Sequence, residues 1–170
     1  MTQIMNPEHD SRLSKTVPMP SSKLFMKWGE EKIRKMVRYH HNLLRLSAIE
    51  HFLPEEEAQF EHATQKTADF FVDVLSGGIS LQELLGYPAL KMRFFQITVD
   101  ETARDVWLEM YKKVIIDMNM PSECIEEFWN WIEPLSLWMI NHQTMPQIPR
   151  YPYQEIWTDL VEFSQCRRCY

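Results

Sequence analysis

An imidazole, a threonine hydroxyl, an indole and a pair of thiols are the groups in this chain whose types and spacing bear on chemistry. His41 falls on a helical stripe with Ile33, Val37, Leu44 and Ala48, which His40 widens on one side. An imidazole on an apolar face is either a hydrogen-bonded core residue or a metal ligand, because its neutral ring carries one donor and one lone pair. Thr64 lies on a second stripe with Phe60, Thr67, Phe71 and Val74, and Trp107 on a third with Ala103, Met110, Val114 and Met118. Cys166-Arg-Arg-Cys169 has redox or metal spacing, and its arginines would lower the thiol pKa values. Without a second cysteine pair it lacks a structural zinc set, so it reads as an incidental tail. His9, His51, His62 and His142 are scattered without metal-ligand spacing. No phosphate-binding glycine loop, nucleophile elbow or convergent carboxylate pair is present, so a conventional hydrolase or kinase has no residues to stand on.

The elements that must position these groups are helical. Hydrophobic residues make up 45% of 170 and charged residues 25%, with only four glycines, which favours a single helical domain with tails over a turn-rich β protein. Helix is expected from Glu30, after Pro54-Glu-Glu-Glu57, after the Asp100 cap and from near Ser122, with Pro134 removing one backbone bond in the last. Gly77-Gly78 and Asn119-Met-Pro121 supply stops, and Ser80 can cap a short helix between them. The net charge of -6 gives no electrostatic support for nucleic-acid binding. The bases from Lys23 to Arg45 and the acids from Glu50 to Glu61 read as a solvated face followed by an acidic helix start. No apolar run approaches the roughly 18 residues needed to cross a bilayer, and the first residues lack a signal core, so a cytoplasmic protein is expected. Cys124 fits a small buried apolar position.

Gly86-Tyr-Pro-Ala-Leu-Lys-Met-Arg-Phe94, followed by Ala103-Arg-Asp-Val-Trp107, resembles the haem-pocket signature of the truncated haemoglobins, most closely their second group. Gly86, Pro88, Leu90, Met92 and Arg93 match the first block, and Arg104, Asp105 and Trp107 the second; the resemblance covers about Lys23 to His142. It implies an all-α, globin-like truncated helical sandwich with N- and C-terminal extensions. The divisions would be residues 1–22 as a mobile arm, 23–143 as the globin-like domain, and 144–170 as a proline- and aromatic-rich extension. The same resemblance places Trp107 at the distal indole that donates to iron-bound ligand, Thr64 at a distal position that takes small residues, and His41, or His40 after a one-residue slip, at the distal tyrosine. Phe94 stands where the family has the histidine that holds the iron.

A phenyl ring has no lone pair for iron. Met92 would point about 200° around a helix from Phe94, which leaves no obvious proximal substitute. His41 could act as a metal ligand only from the distal side. No cofactor is therefore expected, with haem b as the alternative. Aromatic bulk from Phe71, Phe94, Phe95, Trp107 and Trp131 could fill the slot as core, or the slot could admit a small apolar or tetrapyrrole ligand. The expected function is a globin-like binding, sensory or accessory module without standard haem ligation, more an accessory than an enzyme. The alternative is a haem protein of atypical ligation that binds oxygen or another diatomic gas or does redox chemistry. The extension, with Tyr151, Tyr153, Trp157 and Phe163, either packs on its own domain or docks a protein partner; no nucleic acid and no membrane are expected.

Overall fold

The computed structural model describes residues 17–80, 83 and 97–156. Within them the regular structure is helical: α1 (Lys23–Arg45), α2 (Glu57–Leu75), α3 (Glu101–Asp117) and α4 (Ser122–Ser136), with 3-10 turns at Glu50–Phe52 and Leu137–Met139. The helix expected from Glu30 begins seven residues earlier, at Lys23. Gly29 joins the two pieces at φ 71°, a left-handed conformation in which a Cβ would be strained, and so kinks α1.

α1 packs along α2 and more lightly on α3, which packs in turn on α4. Phe71 closes the layers, with its ring 5.9 Å from Tyr111 of α3 and 5.1 Å from Trp131 of α4. The bases of α1 are not simply solvated. Arg34 reaches Asp69 at 2.8 Å, Arg38 pairs with Glu61, and Arg45 reaches Glu57 at 3.0 Å, so the basic face is zipped to the acids of α2. Being exposed, these pairs are screened by solvent and add little to stability.

Two helix ends follow the sequence closely. Asp100 accepts from the Ala103 amide at 2.8 Å and caps α3. Ser80 and Glu83 bond reciprocally, Ser80 N–H to Glu83 at 2.7 Å and Glu83 N–H to Ser80 Oγ at 3.3 Å, which is a capping box. α3 departs from the stripe read along it. Its buried set is Glu101, Ala103, Arg104, Leu108, Tyr111, Val114 and Ile115, while Trp107, Met110 and Met118 are only half-buried. The helix is rotated because two charged residues, Glu101 and Arg104, are buried, and apolar periodicity does not register charges.

Those charges hold the chain that follows α4. Glu101 accepts from the Thr144 amide and hydroxyl and the Met145 amide at 2.7 to 3.1 Å. Burial pushes its carboxyl up, but these bonds outweigh it and hold the pKa down to about 2. Arg104 donates to Ser136 Oγ at 2.7 Å, to Pro149 O at 2.6 Å and to Glu133 at 2.6 Å. Tyr151 O–H donates to Asp105 at 2.8 Å, and Trp129 Nε1–H to Tyr151 O at 2.7 Å. Tyr153 and Ile156 are buried. At the other end Val17 is buried and Ser21 bonds Glu127, so the residues directly before α1 also pack on the domain.

Candidate functional site: a buried imidazole wall

Adjacent residues on a helix are about 100° apart, so His40 and His41 leave α1 toward different neighbours. Both rings are buried, with centroids 6.2 Å apart. His41 Nδ1 lies 2.9 Å from Thr64 Oγ1 of α2, and that hydroxyl is buried too. His40 donates from Nε2 to the Trp107 carbonyl of α3 at 3.1 Å and stacks on Tyr111 with ring centroids 3.6 Å apart. Trp107 sets its indole edge-on to both rings, 5.3 Å from His40 and 4.6 Å from Tyr111. Three helices thus meet on a wall of satisfied polar groups within an aromatic surround.

Of the four positions singled out in the sequence, His41 and Thr64 are brought into direct contact, and Trp107 joins them through His40. Phe94 lies outside the described residues, as do Met92, Phe95 and the Cys166/Cys169 pair. Both His40 and His41 line the wall. Tyr111 was missed. Its position four residues after Trp107 on the same helix is the spacing that could have found it.

His40 is neutral. Burial lowers its pKa from 6.5 to about 3, against the opposing pull of the Trp107 carbonyl. The folded pKa lies below the unfolded one, so the unfolded chain takes up a proton that the folded chain refuses. Stability is unaffected above about pH 6.5 and is expected to fall by about 1.4 kcal/mol per pH unit as pH drops below it. Urea titrations between pH 6.5 and 5 should show that slope in the wild type and a flatter one in His40→Gln; parallel slopes would rule His40 out as the source.

An iron-ligating imidazole needs an uncommitted lone pair on a nitrogen aimed at the metal. His40 spends Nε2–H on a carbonyl and lays its face on Tyr111, while His41 meets Thr64 through Nδ1, a contact that orients the ring without engaging Nε2. The place at which the resemblance puts the proximal ligand carries Phe94, with no donor atom. On that resemblance, the proximal position offers no nitrogen for iron. No group of three or more His, Cys, Asp or Glu side chains among the described residues could hold a metal ion. Trp131 Nε1 is buried without a hydrogen-bond partner among the described residues, and Phe70, Phe71 and Phe128 surround its ring. A cleft of about 760 Å³ between residues 18–23, α4 and Tyr151 shares no residue with the imidazole wall.

The model of the bacterial-like globin family matches residues 24–141. The chain belongs to that family. Among solved structures, the phosphate-bound crystal structure of Hell's gate globin IV is similar to this globin, at 39% identity and a TM-score of 0.76 over 86% of this chain and 92% of that one. No curated protein matches it. The all-α globin fold expected from the Gly86 and Arg104 blocks therefore stands, and the usual cofactor of such a fold is haem. No helix among the described residues of this globin is long and apolar enough to cross a membrane.

Proposed function

We propose that this globin has lost standard haem ligation and acts as a binding, sensory or accessory module through its pocket. Phe94 at the iron-ligand position is the observation that carries the reading. The imidazole wall supports an open slot over a filled one. His40, His41 and Thr64 are buried polar groups, and a pocket converted wholly to core gains more from apolar side chains there. A flat apolar molecule such as an iron-free tetrapyrrole suits such a slot. The division into arm, globin domain and extension, the cytoplasmic setting and a protein partner for the extension belong to the same proposal.

A second reading rests on His41. Thr64 holds its ring in one orientation in a buried site, as a distal iron ligand would require, and this reading makes the chain an atypically ligated haem protein that binds a diatomic gas or does redox chemistry. Haemin and iron-free protoporphyrin added separately to the purified protein, followed by gel filtration, distinguish the two. The first reading expects retained porphyrin fluorescence and no stoichiometric Soret band from haem. A stoichiometric haem band abolished by His41→Ala establishes the second.

A further inference from the structure

We propose that Glu101, Arg104 and Asp105 are positioning residues that couple the strap from Thr144 to Tyr151 to the imidazole wall, so that the strap's attachment sets the Trp107–His40 contact. These three residues occupy the first turns of α3, and each holds a different point of the strap: Thr144 and Met145, Pro149 and Tyr151. Trp107 lies less than one turn beyond Arg104 and gives its carbonyl to His40, while Tyr111, one turn further, stacks on the same ring. The helix is therefore gripped by the strap over its first turns and by His40 immediately after.

The strap is built to come away by itself. Thr144 to Gln147 are exposed, so hydrogen bonds rather than apolar burial hold this stretch, and segments held in that way open locally without global unfolding. When it opens, Glu101 loses every donor from Thr144 and Met145. A buried charge with no solvent exposure and missing partners must be rehydrated. Rehydration draws the start of α3 outward and carries the Trp107 carbonyl with it. The family block that contains Arg104 and Asp105 thus acts on the pocket from its outer side.

Hydrogen exchange of the His40 Nε2–H, read by nitrogen-15 NMR on the full chain, tests the coupling without any ligand and so independently of the pocket reading above. Tyr151→Phe removes one hydroxyl and should leave the fold intact; Thr144→Val loosens the other end. Both are expected to speed exchange of the His40 proton at least tenfold. Val74→Ala, a core truncation in α2 away from the strap, controls for global stability. Overturning results are a His40 proton that keeps its wild-type rate while Trp129 Nε1–H accelerates, or rates that follow global stability alike in all three variants.

Discussion

Replacing Glu133 by Ala is expected to lower the unfolding free energy by about 3–5 kcal/mol. Arg104 is buried with no solvent exposure, and Glu133 meets it at 2.6 Å with a side chain only 4% exposed. A guanidinium cannot shed its proton at any working pH, so truncating the carboxylate strands a charge in the core. Glu133 also accepts from Arg150 and from the Tyr151 amide, which the same truncation leaves without their acceptor. Arg150 is far more exposed, and Arg150→Ala should cost no more than about 1 kcal/mol. The double variant Arg104→Met, Glu133→Leu should recover much of the loss, because removing both charges removes the desolvation cost as well. Urea unfolding at pH 7 measures all three; a cost under about 1 kcal/mol for Glu133→Ala would show that water reaches the pair. Acid gives a second check. Burial pushes the Glu133 carboxyl up, yet the Arg150 and Tyr151 hydrogen bonds and the two guanidinium charges outweigh it and leave the pKa below the ordinary 4.5. The stabilisation is then fully present above that ordinary value and is lost as pH falls through the lower folded one.

This pair also marks where the sequence stops being legible. Asp100 and Gly77 were readable because caps and left-handed turns draw on few residue types. Phe60, Phe71 and Val74 of α2 were readable because apolar side chains at helical spacing have one place to go. Arg104 and Glu133 follow no such rule. They lie 29 residues apart on different helices, and either alone would be placed at the surface, so only the packed structure shows that they bury each other. Their burial turned α3 and left Trp107, read as a member of its apolar stripe, only half-buried. The site divides in the same way. His41 and Thr64 could be placed on facing stripes, but their hydrogen bond is a property of how α1 crosses α2. His40 shows the limit most clearly, since its partner is a backbone carbonyl, and a backbone carbonyl carries no sequence signal.

Replacing Phe94 by His is expected to tighten haem binding at least a hundredfold, equivalent to about 2.7 kcal/mol. On the proposed reading, the exchange supplies at position 94 the group that a phenyl ring does not offer, a nitrogen lone pair for iron. Everything else on the described wall is already in position: a buried His41 oriented by Thr64, and Trp107 fixed through His40 and Tyr111. The variant should retain haem through gel filtration with a stoichiometric Soret band, and it should melt higher with haem than without, since a ligand that binds only the folded state stabilises it. Iron-free protoporphyrin makes the comparison decisive. It reports the shape of the slot without any bond to iron, so wild type and Phe94→His should bind it equally, and the hundredfold difference should appear with haem alone. If the variant folds and gains neither haem nor porphyrin, the slot has been filled as core and the pocket reading fails. If both ligands tighten together, the phenyl ring was obstructing the slot, and its lack of a lone pair was not what kept haem out.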